Sequence, residues 1–337
     1  MPRKLLHGIL IGLGAGAVAL ALMFTGALDR IENVTWDGRV RMMAKPGPAT
    51  GKIRLILIDQ TSLDWGRDAK KWDWPWPREV FGAVLSFCKR GGAKAFIDDA
   101  LFTEASRYGV DDDQAFGEAV AKDGPYVTAL WLSKSQGLAT KWPADLHPRD
   151  LSVRGLDGYL KGPAGGILTM PRASFPIPEI ASNAALLGSV YFTPDGDGIE
   201  RRSQVFNVFD GRFVPSLALA GFCAAEAKAE LSIEGDVFRA RGTGGLVATS
   251  GTSAIPLDRS GRTILRFRGP TQTHKAVNVA AVIESELLIR EKKKPLIDPE
   301  DFRDCYVFFH DMFNLAGAVS RLGKDGAGPP AERKDKQ

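Results

Sequence analysis

The most regular hydrophobic pattern in the chain lies between Lys52 and Glu104. An apolar run, K-I-R-L-I-L-I-D, ends at Asp59, and a second run, A-K-A-F-I-D-D, ends at Asp99. Between them, apolar residues recur at the spacing of one helix face: Val80, Phe81, Val84, Leu85 and Cys88. A strand, a helix and a strand in this order predict a crossover with two parallel, neighbouring strands. Asp59 and Asp98 or Asp99 would then lie at one edge of the sheet.

Weaker patterns predict the rest of a mixed, partly parallel α/β sheet with flanking helices. Helices are expected at Asp111–Val120, Pro178–Gly188, Val214–Ala225 and Val277–Ile289. Strands are expected at Pro125–Leu132, on both sides of the turn Asp195–Gly198, at several places between 232 and 269, and at Cys305–Phe309. From Ser133 to Gly166 no period is sustained, which predicts a long irregular insertion. The acids Asp111, Asp112 and Asp113 are expected to form a solvated helix cap.

A tryptophan-rich string, W-D-W-P-W-P-R, precedes the first amphipathic helix. Pro75 and Pro77 favour an extended backbone for the residues before them. We therefore predict that Trp74 and Trp76 anchor this loop over the sheet and stabilise it.

An apolar run from Leu5 to Phe24 contains a single ionisable residue, His7. Its length of about twenty residues is that of a bilayer core. Basic residues precede the run and Asp29 follows it, which predicts a membrane anchor with the N-terminus in the cytoplasm and the bulk of the chain outside. A cleaved signal peptide and a buried soluble helix are the alternatives.

Gly8, Gly12 and Gly16 repeat at a spacing of four within this run. Small residues at this spacing let two membrane helices approach closely, so a homodimer through this face is one hypothesis. The alternative is that glycine is simply common in membrane helices.

Composition excludes several classes of protein. The chain has 337 residues and a net charge of only +4, with its basic residues dispersed, so nucleic-acid binding has no support. Its three cysteines, Cys88, Cys223 and Cys305, lie far apart and lack the spacing of a zinc site. Cys88 and Cys223 fall on apolar helical segments and are expected to be small buried hydrophobic residues. We predict no metal and no cofactor.

Catalytic motifs are missing from the sequence. There is no G-x-x-x-x-G-K-S/T string, no G-x-G-x-x-G string and no G-x-S-x-G elbow. The enzymatic alternative is a metal-dependent hydrolase that uses Asp59, Asp98 or Asp99, and Glu104 at the carboxyl edge of the parallel strands, where α/β folds place their sites. In the structural interpretation, Asp59 and Asp99 instead cap loops and pair with Arg78.

Three strings, in this order, carry a family resemblance: I-L-I-D-Q-T-S-L at Ile56–Leu63, W-P-W-P-R at Trp74–Arg78 and G-G-A-K-A-F-I-D-D-A-L-F at Gly91–Phe102. Together they resemble the second type of CHASE domain, the cyclase- and histidine-kinase-associated sensory extracellular domain of bacterial signalling proteins. Further similar strings are W-D-G-R-V-R at Trp36–Arg41, the aspartate–glycine turn before Arg201 and Arg202, Ile264–Gly269 and Cys305–Phe309.

The resemblance implies a domain organisation. Residues 1–28 would be a transmembrane anchor in the bacterial cytoplasmic membrane, 29–310 an extracytoplasmic, non-catalytic sensory domain with the 133–166 insertion, and 311–337 a disordered tail. The family continues after its last strand with membrane helices and an output domain. No apolar run long enough to cross a bilayer follows Phe309. The expectation is therefore a sensor that lacks its own output domain, with an unidentified small-molecule or envelope ligand.

Candidate ligand-binding residues form two groups. Asp59, Arg78 and Asp99 are expected at the carboxyl edge of the parallel strands. Arg266 and Arg268 alternate on one strand, and with Arg202 they form a second group suited to an anionic ligand. Solvated arginines that bind no ligand are the alternative for the second group.

Overall fold

The computed structural model describes residues 3–25, 27–226, 228–242, 252–270 and 272–311. It divides the chain into two compact units, a smaller one of residues 1–47 and 266–273 and a larger one of residues 48–265 and 274–337. The disordered tail predicted from residue 311 falls, from residue 312 onward, outside the described residues.

Helices occur in both units. The smaller unit contains α1 (Arg3–Phe24) and α2 (Ala27–Met43). The helices of the larger unit are α3 (Gln60–Trp65), α4 (Glu79–Arg90), α5 (Val110–Asp123), α6 (Leu156–Leu160), α7 (Ala164–Leu168), α8 (Pro178–Ala181), α9 (Leu217–Ala225) and α10 (Val279–Arg290). Short 3₁₀ turns lie at Thr50–Lys52 and Pro299–Phe302, and a π-helical turn at Gly66–Lys70 follows α3.

Strands lie in the larger unit. They are β1 (Ile53–Ile58), β2 (Ala95–Asp98), β3 (Tyr126–Ser133), β4 (Val153–Arg154), β5 (Thr169–Met170), β6 (Arg172–Ser174), β7 (Leu186–Ser189), β8 (Arg202–Gln204), β9 (Phe206–Phe209), β10 (Arg212–Pro215), β11 (Glu230–Glu234), β12 (Val237–Arg241), β13 (Thr252–Pro256), β14 (Arg262–Ile264), β15 (Lys275–Asn278) and β16 (Tyr306–Asp311).

In the smaller unit, α1 exposes large apolar side chains, among them Leu10, Ile11 and Leu13. Within the described residues, no helix combines the length and the apolar character that a bilayer crossing requires. On α2, Trp36 packs edge-on against Phe267, with 6.1 Å between ring centroids.

The main sheet of the larger unit has the order β15-β1-β16-β2-β3, and both β7 and β6 pair with β3. Every pairing in it is parallel except that of β6 with β3. The predicted mixed, partly parallel α/β architecture with flanking helices is therefore confirmed.

The strand order corrects one prediction. β1 and β2 are parallel, but they are not neighbours, because β16 lies between them. A strand in the middle of a parallel sheet is covered on both faces and needs a nearly continuous apolar run. The Y-V-F-F sequence of β16 meets this need, and Tyr306, Val307 and Phe309 are buried.

Helices α4, α5 and α10 cover one face of this sheet, where the apolar side of α4 predicted from its periodicity is buried as expected. Helix α9 packs on the other face, with three small sheets ordered β10-β9-β5, β13-β12-β11-β4 and β14-β8. Gly221 of α9 touches β2 so closely that a Cβ there would lie 2.5 Å from Cγ1 of Ile97. Cys88, Cys223 and Cys305 are all buried free thiols, which confirms the expectation for the first two.

Two expectations about secondary structure are wrong. The helix expected over Pro178–Gly188 ends at Ala181, and Leu186–Ser189 is β7, held by parallel pairing with β3. The insertion 133–166 is not irregular throughout, since it contains β4, α6 and the start of α7. These elements are too short to show a period. Contacts between residues far apart in sequence hold them instead. β4 pairs with β11, and in the region of α7 Nζ of Lys134 donates to the carbonyl oxygens of Gly166, Ile167 and Thr169 at 2.9, 2.8 and 2.7 Å.

Candidate functional site at the carboxyl edge of the parallel sheet

Asp59 directly follows β1 and begins α3. Its Oδ1 accepts hydrogen bonds from the backbone N–H of Ser62 at 2.8 Å and from the Ser62 hydroxyl at 2.7 Å. This is the geometry of a helix N-cap, which satisfies amide groups that have no partner inside the helix. The carboxylate of Asp59 is thus engaged within its own turn.

Asp98, the last residue of β2, is completely buried. Its Oδ2 accepts from the Tyr126 hydroxyl at 2.8 Å, and its Oδ1 accepts from the Ala100 amide at 2.9 Å. Burial, followed by the charge of Asp98, raises the pKa of Tyr126 well above its ordinary value. The phenol therefore stays protonated and donates a hydrogen bond to the carboxylate, which connects β3 to β2.

Asp99 lies beside His310, a residue near the carboxyl end of β16. The Nδ1 of His310 on β16 lies 2.8 Å from Oδ2 of Asp99, and the two side chains are 29% and 34% exposed. The register of β16 beside β2 brings them together. The expectation that Asp99 pairs with Arg78 is therefore wrong. A partly exposed carboxylate–imidazole pair is able to bind a polar ligand.

Arg78, just before α4, forms a buried ion pair with Asp113 of α5 and also donates to the carbonyl oxygen of Glu104. Neighbouring Asp112 accepts from the backbone N–H groups of Arg78 at 2.8 Å and Glu79 at 2.9 Å. An acid of α5 thus caps α4.

The idea of a solvated cap is wrong for Asp112 and Asp113, which are 8% and 3% exposed. Ser106, a few residues earlier, also donates to both carboxylates, but their partners Arg78 and Glu79 lie more than thirty residues away and were not predicted from the sequence.

The carboxylates that the hydrolase hypothesis requires do not form one site. Asp59 caps α3, Asp98 is bonded to Tyr126, and Glu104 is exposed. Among the described residues, no three His, Cys, Asp or Glu side chains gather in a way that could hold a metal ion.

The predicted arginine group falls in both units. Arg202 lies in the larger unit, where its Nη1 contacts Asp195 at 3.1 Å. Arg201 is buried and binds Asp197 at 2.9 Å, and this bond is the main cause that lowers the pKa of Asp197. Arg266 and Arg268 belong to the smaller unit. The expectation that they alternate on one strand is wrong, because β14 ends at Ile264 and neither arginine lies in a strand. A shared anion site of Arg202, Arg266 and Arg268 stays a prediction.

The aspartates that pair with Arg201 and Arg202 sit in the turn predicted at Asp195–Gly198. It is a tight turn in which Gly198 has a φ of +81° and its amide donates to the carbonyl of Asp195 at 2.8 Å. The prediction of a turn is confirmed.

The tryptophan string centres on Trp76, which is 2% exposed and touches Trp65, Trp72 and Trp74 at centroid distances of 6.2, 6.1 and 5.9 Å. Gly66 lies against its indole, and a Cβ there would be 2.7 Å from Nε1. Trp74 is 38% exposed. Trp76 has the buried position expected of an anchor, and Trp74 lies at the rim of the cluster.

The family model of the CHASE2 domain matches residues 14–310, a range that includes His310 and all of β16 but its last residue. No curated protein and no solved structure matches the chain. The match covers most of the chain and contains every string on which the resemblance rested, so this protein belongs to the CHASE2 domain family.

Proposed function

We propose that this chain is the ligand-sensing part of a bacterial transmembrane receptor and that it works outside the cytoplasmic membrane without catalysing a reaction. The observation that carries the proposal is the match of residues 14–310 to a family of sensory, extracellular-type domains. The dispersal of the edge carboxylates among structural roles also favours a sensor over a hydrolase.

In this proposal the membrane anchor is the apolar run from Leu5 to Phe24, whose length in the sequence is that of a bilayer core. Leu10, Ile11 and Leu13 are 58%, 72% and 67% exposed, and so many exposed apolar side chains favour a nonpolar environment such as a lipid bilayer. Arg3 and Lys4, which precede this apolar run, support a cytoplasmic N-terminus. A Cβ on Gly8, Gly12 or Gly16 would meet no atom within 4 Å, so this face is open to a second copy, and we propose it as the dimer contact.

The candidate site for an unidentified small molecule or envelope component is the Asp99–His310 pair. Of the ionisable residues predicted at the carboxyl edge, Asp59 and Arg78 are committed to a helix cap and a buried ion pair. Asp99 and its partner His310, which was not predicted, keep about a third of their side-chain surface exposed. A ligand that binds there would contact β2 and β16 together, and these are central strands of the main sheet.

Two measurements test the proposal. Alkaline phosphatase, active only outside the cytoplasm, and β-galactosidase, active only inside, are each fused after Gln337 in a bacterial host. We expect activity from the first fusion alone, and activity from the second alone would refute the location. The full chain in detergent is then screened by thermal shift against periplasmic solutes and cell-wall fragments, since a ligand of the folded state raises its stability. A sensor should respond to at least one of them.

A further inference from the structure

A cavity of about 580 Å³ lies in the larger unit, away from the carboxyl edge. It opens between α6 with the turn that follows it, the turn that joins β11 to β12, and the loop after β13. Its volume is within the range of small-molecule sites, which is about 300–1,000 Å³. No residue proposed above as a site residue lines it.

The lining residues divide into three kinds. Glycines expose the backbone at several points, and among them Gly158 leaves so much space that a Cβ would meet no atom within 4 Å. Tyr159 presents an aromatic wall. Two opposite charges, Asp236 and Arg259, come from different loops of the small sheet and are both exposed.

These two charges are not used by the fold. Within the described residues, neither the Asp236 carboxylate nor the Arg259 guanidinium has an ion pair or a hydrogen bond, and they do not pair with each other. Asp258, also on the wall, is occupied, since its Oδ1 accepts from the amides of Ser260 and Arg262 at 2.8 and 2.9 Å. The cavity thus presents one available negative charge and one available positive charge.

Tyr159 adds a second observation. Its hydroxyl is buried and has no hydrogen-bond partner among the described residues. Burial, followed by the charges of Asp236 and Asp258, raises its pKa, so the phenol stays protonated and is able to donate. A buried hydroxyl without a partner is uncommon. Because solvent does not reach this oxygen, Tyr159 offers a molecule in the cavity its ring rather than its hydroxyl.

We infer that this cavity binds a small zwitterion, an α-amino acid or a short peptide with free termini. The ammonium group lies at Asp236, the carboxylate is held by the guanidinium of Arg259, and the side chain rests against the ring of Tyr159. Guanidinium matches a carboxylate with two parallel hydrogen bonds, which favours this orientation. The inference adds a second ligand site to the proposed sensor, apart from the Asp99–His310 pair. It depends on the sensory function only for its biological role, not for the binding.

The test uses the full-length chain in detergent and isothermal titration calorimetry with L-alanine, L-phenylalanine, L-lysine, L-glutamate and the dipeptide Ala-Ala. Binding of at least one probe is expected, with at least tenfold weaker binding of its N-acetylated and its amidated derivatives. If none of the five probes binds, the inference is wrong. The topology experiment and the wider ligand screen then still decide the sensory function independently.

Variants locate the site. Asp236→Asn and Arg259→Gln should each weaken the binding at least tenfold, and Gly158→Leu should abolish it by filling the cavity. Asp157→Asn is the matched control, because Asp157 is an exposed acid next to Gly158 on α6 and does not line the cavity. Thermal unfolding verifies that each variant is folded. Unchanged affinity in folded Gly158→Leu would place the ligand elsewhere and overturn the inference.

Discussion

The imidazole of His310 and the carboxylate of Asp99 meet at 2.8 Å, where β16 and β2 reach the carboxyl edge of the sheet. Both side chains are partly exposed, and ion pairs in that setting contribute only about 0.2–1 kcal/mol. A double-mutant cycle of Asp99→Asn and His310→Gln, measured by urea unfolding at pH 6, should give a coupling free energy below about 1 kcal/mol.

The pair Arg303–Glu300 is the matched control for this cycle, with the same 2.8 Å distance but 63% and 68% exposure. Its coupling should be smaller still, because exposed pairs are screened by solvent. A coupling above about 2 kcal/mol for Asp99 and His310 would mean that the pair holds the sheet together, and it would weaken its assignment as a ligand site.

The buried pair Arg78–Asp113 should behave differently. Asp113→Ala leaves a guanidinium buried without its partner, which costs about 3–5 kcal/mol of unfolding free energy. Asp111→Ala, two residues earlier and exposed, should cost less than about 1 kcal/mol. Urea unfolding of both variants provides the comparison. Equal losses of unfolding free energy in the two variants would show that Asp111 and Asp113 act only through the dipole of α5.

Trp76 and Trp74 offer a second matched comparison. Trp76→Ala removes a side chain that is 2% exposed and should cost about 3–5 kcal/mol, whereas Trp74→Ala, at 38% exposure, should cost clearly less. The measurement is chemical unfolding followed by far-UV circular dichroism, because the substitutions themselves alter tryptophan fluorescence. A larger loss for Trp74 than for Trp76 would refute the assignment of Trp76 as the anchor.

Elements with a strong local period were predicted from the sequence. Helices α4 and α10 were predicted because their apolar residues recur at helical spacing, and α9 was predicted from a continuous apolar run that follows a serine. Ser216 and Asn278 cap α9 and α10. The place of β16 between β1 and β2 in the sheet was not predicted. Strand order depends on pairing between distant parts of the chain, and a local sequence pattern contains no information about it.

The same limit applies to the candidate site. Asp59 and Asp99 were correctly placed at the sheet edge, since each directly follows an apolar strand. Their partners differ in how far they could be foreseen. Ser62 is local to Asp59, but His310 reaches Asp99 across 211 residues and only through the register of β16. Long-range polar partners of this kind are set by topology and packing.

The last prediction concerns alkaline pH. Burial raises the pKa of the Cys223 thiol from its ordinary 9.0 to about 11. The folded state therefore keeps this proton when the unfolded state releases it. The stability that follows is fully present below about pH 9 and is lost as the pH rises toward 11. One pKa unit corresponds to 1.36 kcal/mol, so at pH 10 the loss due to Cys223 is about 1.4 kcal/mol.

Cys223→Ala isolates this contribution. The substitution lowers stability at every pH, so the informative quantity is the slope of the unfolding free energy against pH between pH 8 and pH 10.5. The variant should lose less stability with rising pH than the wild type. Burial raises the pKa of Tyr306 to about 12, and the charge of Cys223 adds a smaller increase, so Cys223→Ala also lowers the pKa of Tyr306 and reduces the slope in the same direction. Parallel curves for the two proteins would contradict the prediction, because they would mean that the Cys223 thiol ionises as easily in the folded protein as in the unfolded chain.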